Sequence, residues 1–279
     1  MGTEQERPAT SDGRMSEHIR RRSRRWLAES KRGILEVLIM TVATLAYFLI
    51  RGSVVDRAAE AFVRGIQVVH LERSLGIFWE LSLQRVVLDN LALTQIFNWI
   101  YFWLHLPLIL SFGLWLYVFH RHRYVLIRNA FMVSGGIGLV IYSLFPVAPP
   151  RLMPNLGFVD TMAIFSQVSY QAQSLKPFVN PFAAIPSLHF GWALLMAIGI
   201  VAATRNRLLR AFAFTVPVAQ FLAVVVTGNH FIIDAVIGGA VAMAGLGIAW
   251  GLLRLGIVFP WERAVIRVRT GSAARVPSA

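Results

Sequence analysis

The sequence predicts an all-α fold: a polytopic membrane protein built as a six-transmembrane-helix bundle, with an extracytoplasmic amphipathic helical segment. Three observations carry that expectation. Hydrophobic residues make up 56% of the 279-residue chain and charged residues 15%, against about 45–50% and about 25% in soluble domains. The charges cluster, leaving apolar runs long enough to cross a bilayer. Threaded through a membrane, the chain also keeps most of its basic residues on one side. The mean hydropathy of +0.60 agrees.

Residues 1–32 are polar, with Arg20, Arg21, Arg22, Arg24 and Arg25 in a cluster. They read as a cytoplasmic basic tail suited to anionic headgroups. The stretch lacks the form of a cleaved signal peptide, so the first apolar run is expected to stay in the membrane. The membrane domain covers 33–256. Span 1 runs from Ile34 to Ile50 and carries one charge, Glu36. Residues 53–89 alternate charges (Asp56, Glu60, Arg64, Glu72, Arg73, Glu80, Arg85) with apolar Phe62, Ile66, Val69 and Leu75. That spacing fits helix lying along the interface, interrupted at Gly76. Glu72, Glu80 and Gln84 share one face. A solvated helical face is the favoured reading of such a charge run, with a cover over a cavity as the alternative.

Span 2 covers 91–119 and sets Asn98, Tyr101 and His105 at helical spacing. Span 3 runs from about 129 to 145 and ends at Pro146, followed by Pro149-Pro150-Arg151, which helix cannot traverse. Residues 152–183 read as a polar loop. Span 4 covers 184–203, span 5 covers 211–226 and span 6 covers 230–253. Residues 257–279 form a second basic tail.

With the N-terminus in the cytoplasm and six alternating spans, twenty of the 27 Lys and Arg residues fall inside, leaving seven outside. Both termini are then cytoplasmic. Arg151, His189 at the start of span 4 and His230 at the start of span 6 all lie at the outer face. The expected location is a plasma membrane, the inner membrane of a bacterium. The net charge of +13 is accounted for by topology, so no nucleic-acid partner is expected. The absence of cysteine excludes disulfides, thiol catalysis and cysteine-ligated zinc.

Two stretches carry the chemistry. One is Pro186-Ser187-Leu188-His189; the other is Gly228-Asn229-His230 with Asp234 four residues on. On a helix, that spacing puts His230 and Asp234 on one face. A carboxylate that accepts a hydrogen bond from one ring nitrogen fixes the tautomer and raises the basicity of the other. A histidine so arranged can attack phosphorus, and His189 can protonate the leaving oxygen. Arg151 suits paired hydrogen bonds to phosphate, and Ser187 with the start of span 4 offers a further anion site. The rival readings are polar residues bonding across a bundle, a metal site of His189, His230 and Asp234, and a non-catalytic lipid-binding or transport protein.

These residues resemble the type-2 phosphatidic acid phosphatase superfamily, whose last two motifs are Pro-Ser-x-His and His-x-x-x-Asp. The resemblance implies a six-helix membrane bundle, His230 as a nucleophile forming phosphohistidine, Asp234 as its partner and His189 as general acid, with no metal or cofactor. The family commonly has Ser-Arg starting seven residues before the second histidine. Here those positions are Ala223 and Val224. The usual first motif is not recognisable, and Pro149-Pro150-Arg151 stands in that region. Ala183-Ala184-Ile185-Pro186-Ser187-Leu188-His189 and His230-Phe231-Ile232-Ile233-Asp234-Ala235 look more like the branch of inositol phosphorylceramide synthases and their bacterial relatives. That branch implies a lipid phosphatase or phosphotransferase acting on a phosphorylated lipid and transferring a phosphoalcohol headgroup. Catalytic His230, Asp234 and His189 would be joined by Arg151, Ser187, Asn229, His105 and Tyr101 as substrate-binding residues.

Overall fold

The computed structural model describes residue 31 and residues 33–49, 57–165 and 180–257. The basic tails expected at 1–32 and 257–279 lie almost wholly outside these residues, as do Arg51 and Lys176. Among the described residues the chain is helical; the sole β feature is an isolated bridge between Val147 and Ala183. The chain divides into two compact units, residues 1–45 and 46–279. Helix α1 (Gly33–Leu49) crosses that division. It exposes Val37, Leu38, Val42 and Leu49 along its length.

The amphipathic stretch forms α2 (Ala58–Ser74) and α3 (Glu80–Leu88). They separate where Gly76 adopts a φ of 70°, a conformation that side chains with a Cβ resist. Helix α4 (Leu91–Trp99) starts at Asn90, whose side chain accepts from the Leu93 N–H, as helix-starting asparagines do. A π-helical stretch, Ile100–Leu104, joins it to α5 (His105–Phe119). Pro107 lies just beyond and has no N–H to return to the Trp103 carbonyl, which favours widening the helix there. Helix α6 (Arg121–Leu144) follows, then two 3₁₀ turns (Pro150–Leu152 and Pro154–Leu156) and the short α7 (Thr161–Phe165). The remaining helices are α8 (Leu188–Ala203), α9 (Arg207–Val226) and α10 (Ile232–Arg254).

Three boundaries depart from expectation. Helix α6 begins at Arg121 rather than near 129, because Arg123 and Tyr124 N–H close a first turn on the His120 carbonyl at 2.8 and 3.0 Å. Its basic residues are therefore helical, with Arg121 over the Tyr117 ring and Arg128 bonded to Asn129. Helix α8 starts at Leu188 rather than Ala184. The Ala184 N–H is committed to Val147 O at 3.3 Å, and the segment before the helix runs beside residues 147–148. Helix α10 starts at Ile232, two residues after His230.

Leu91–Phe119, α6, α9 and α10 are each long and apolar enough to cross a membrane. Helices α1 and α8 are apolar but shorter; the 16 residues of α8 reach about 24 Å at about 1.5 Å per residue, short of a hydrocarbon core of about 30 Å. Outward-facing Leu110, Leu114, Val140, Phe214 and Val236 are more than half exposed, as expected of surfaces that face lipid. This is a multi-pass helical membrane protein.

Helix α8 packs against α6, α9 and α10, through a core that includes Leu195, Met196, Ala193 and Ala242. Its N-terminal end meets α10 at Gly191 and Gly238. A Cβ on Gly191 would lie 2.5 Å from the Gly238 carbonyl oxygen, and one on Gly238 would collide with the Ser187 carbonyl. This close approach sets the start of α8 against the first turns of α10. Gly238→Ala is expected to destabilise the protein by about 1–3 kcal/mol, the usual cost of overpacking. A lowered Tm of the detergent-solubilised protein is the check.

Candidate active site

The segment leading into α10 is shaped by backbone bonds. At the end of α9 the Thr227 hydroxyl donates to Ala223 O at 2.6 Å. Gly228 turns the chain with a φ of 70°. The N–H groups of Asn229 and His230 then both donate to Val224 O, at 3.1 and 3.0 Å. Val224, standing where the family commonly has arginine, is fully buried and acts here through its carbonyl. A Cβ on Gly228 would sit 3.3 Å from the Arg151 N and 3.1 Å from Gln84 Nε2. The Gly228 carbonyl accepts from the Arg151 N–H at 2.7 Å, tying the loop after α6 to this turn. Asn229 is buried and its amide donates to Thr227 Oγ1 at 2.9 Å.

His230 is buried, and its Nδ1 lies 2.8 Å from Ala184 O. A carbonyl only accepts, so Nδ1 carries the proton and, in the neutral ring, Nε2 keeps the lone pair. Asp234 Oδ2 is farther from Nδ1, at 3.4 Å. It also accepts from the Phe231 N–H at 2.8 Å. The sequence spacing thus brings His230 and Asp234 together, but not as a helical pair: His230 precedes the helix, and Phe231 is extended with ψ 162°. The shorter bond to the ring comes from a backbone carbonyl 46 residues away, which side-chain spacing cannot encode. Ala184 is itself held by Val147, and the neighbouring Ala148 N–H donates to Ala61 O of α2 at 2.9 Å.

Ser187 is the residue before α8, and its N–H donates to Asp234 O at 2.9 Å. Its hydroxyl is buried and makes no hydrogen bond among the described residues. His189 is the second residue of α8, half-buried, with its ring centroid 5.9 Å from that of His230. Tyr101, on the π-helical stretch, stacks on His189 at 4.5 Å, and His105 follows at 4.4 Å. The widened turn therefore aims both residues at the same imidazole. Among the described residues His105 Nδ1, which is buried, has no hydrogen-bond partner. Arg151 is brought to the same region but engaged: its Nη1 meets Asp160 Oδ2 at 3.2 Å, a partner outside the expected set. Asn98 serves the scaffold, exchanging hydrogen bonds with Thr161 through its Nδ2 (3.0 Å) and Oδ1 (2.7 Å). Among the described residues, no three His, Asp or Glu side chains form a group able to hold a metal ion.

The acidic stripe of the amphipathic stretch overturns the solvated-face reading. Glu72 and Glu80 are fully buried. Glu80 Oε1 accepts from the Ile232 N–H and Glu72 Oε1 from the Ile233 N–H, each at 2.8 Å. Among the described residues the second oxygens meet no backbone or other side-chain donor, and Glu72 is hydrogen-bonded to Glu80. Burial, followed by that hydrogen bond, raises the Glu72 carboxyl from 4.5 to about 9. The charges turn inward because the first amides of α10 need acceptors once water is excluded. Gln84 completes the stripe. Its Nε2 donates to Val159 O at 3.0 Å and Val226 O at 3.1 Å, and its Oε1 accepts from the Val159 N–H at 2.9 Å. Their shared face was visible in the sequence. Its inward direction was not, since charge alternation alone does not say which face is wet.

A family model described as the PAP2 superfamily matches residues 66–250. A protein named phosphoinositol dihydroceramide synthase, from Bacteroides thetaiotaomicron, is 26% identical over 180 residues. That match covers 59% of this chain and 58% of the relative, little more than half of that protein. No solved structure matches the chain.

Gln84→Leu strands the buried Val226 carbonyl and the partly buried N–H and carbonyl of Val159, at about 1–3 kcal/mol for a fully buried group left unsatisfied and less for a partly buried one. A clear drop in Tm is expected, with Gln84→Glu intermediate, since it keeps the acceptor and loses the donors.

Proposed function

Because the chain belongs to the PAP2 superfamily, we propose that it is a membrane lipid phosphotransferase working through phosphohistidine on His230. The observation that carries this is the 2.8 Å bond from His230 Nδ1–H to Ala184 O, which leaves Nε2 as the nucleophilic nitrogen. Nε2 attacks phosphorus, the bond from phosphorus to the leaving oxygen breaks, and His189 gives that oxygen a proton. A second hydroxyl then attacks the phosphohistidine while His189 takes its proton. The P–N bond breaks and His230 is restored. The Ala184 carbonyl and Asp234 offset the positive charge that the ring gains. Arg151 turns from Asp160 to phosphate oxygens, with Ser187 and Asn229 beside it. Tyr101 and His105 line the His189 side. No step requires a metal or cofactor.

The donor is a phosphorylated lipid. The name of the Bacteroides relative supports transfer of a phosphoinositol-like headgroup to a lipid alcohol in preference to hydrolysis. Topology completes the proposal. Helices α1 and α8, apolar but short, join the four longer ones as six spans of a membrane domain over 33–256, flanked by cytoplasmic tails. The α2–α3 segment and the site face the outer side of the plasma membrane, and the arginine asymmetry supports that orientation.

The test is the purified protein in vesicles containing phosphatidylinositol and a ceramide, with lipid products read by mass spectrometry. A phosphoinositol-bearing sphingolipid is expected, and chelator leaves its formation intact. Free phosphate or phosphoinositol as the only product would make the enzyme a hydrolase. His230→Ala and His189→Ala are each expected to lower the rate by at least about 100-fold. Unchanged turnover in His230→Ala rules out the mechanism.

A further inference from the structure

We propose that Glu72 and Glu80 act as one carboxyl pair that positions His230, by holding the first-turn amides of α10. The inference rests on His230 being the reacting histidine. A helix begins with amides that have no partner within the helix. At α10 three consecutive N–H groups are taken by carboxyls: Phe231 by Asp234, Ile232 by Glu80 and Ile233 by Glu72, all at 2.8 Å. Bonds from N–H to carboxylate are short and strong, and the positive end of the helix dipole favours them. Before His230, Val224 O holds the backbone; after it, the pair does. The histidine is gripped on both sides, and the second grip comes from α2 and α3, over 150 residues earlier.

The pair also has an electrostatic task. Glu80 from α3 and Asp234 from α10 both bear on Glu72. His230 stands against Asp234, Arg151 on the neighbouring loop faces Asp160, and Arg73 of α2 lies over the Phe78 ring. Three ionised carboxyls around one buried helix start would repel each other and the incoming phosphate. One proton between Glu72 and Glu80 removes one of those charges while leaving both Oε1 atoms as acceptors. The folded protein holds a proton that the unfolded chain releases above 4.5. The pair's contribution is therefore complete below that pH, declines as pH rises and is gone above about 9.

The test compares wild type, Glu72→Gln and Glu72→Ala over pH 6–10 (a window of about four units around the shift). Glutamine keeps the acceptor for Ile233 and a donor toward Glu80, with nothing to titrate. Alanine is expected to lower kcat by about 10- to 100-fold, the scale of a displaced catalytic group, with little change in KM. Glutamine is expected to restore most of that loss and to abolish the alkaline fall near 9. A second readout needs no turnover: carbethoxylation of His230 by diethyl pyrocarbonate, read by mass spectrometry against His189. Its rate is expected to change in Glu72→Ala and to return toward wild type in Glu72→Gln. If wild type turns over no phosphorylated lipid, the proposed function falls, while the His230 modification rates still judge the pair. Wild-type kinetics and His230 reactivity in Glu72→Ala, or an unchanged alkaline limb in Glu72→Gln, overturn the inference.

Discussion

One hydrogen bond fixes the buried imidazole at the candidate site: His230 Nδ1–H to the carbonyl of Ala184. It decides which ring nitrogen carries the proton, and so which carries the lone pair. Much of the surrounding architecture bears on that carbonyl. Ala184 is held by Val147, and Ala148 is bonded to Ala61 of α2. The loops after α6 and before α8 thereby lie side by side and present a backbone oxygen to a buried imidazole. In such surroundings a lost partner is costly, so the ring's orientation is tied to the packing of three distant stretches.

The rest of the site follows from how helix ends are satisfied away from water. The start of α10 is met by carboxyls from α2, α3 and its own first turn. The start of α8 lies against α10 because Gly191 and Gly238 carry no Cβ to keep them apart. This contact puts the His189 end of α8 beside the His230 turn. On the other flank, the π-helical widening after Trp99 turns Tyr101 and His105 toward the His189 ring. Each device is a local departure from regular helix, and each serves the same small region.

Much of this was legible in the sequence. The apolar runs marked the helices, and the four-residue spacing of His230 and Asp234 marked the pair. Asn98, Tyr101 and His105 were correctly placed along one span. What the sequence hid has physical reasons. The Ala184 carbonyl leaves no side-chain signature. Arginines at a membrane edge fit either a loop or a helix, so the sequence does not distinguish a start of α6 at Arg121 from one near 129. The Glu72–Glu80 stripe looked solvated because amphipathic spacing fixes a period without saying which side meets water. The ion pair of Arg151 with Asp160 is likewise invisible in the sequence, since nothing in the spacing of residues 151 and 160 joins them.

The central claim is that Nε2 of His230 is the reacting atom. Incubation with a phosphorylated lipid in the absence of acceptor, followed by alkaline denaturation, preserves a phosphohistidine for peptide mass spectrometry and phosphorus NMR. The account requires phosphate, or its headgroup ester, on Nε2 of residue 230. A phosphoryl group on Nδ1 of that ring, or on His189, would contradict it.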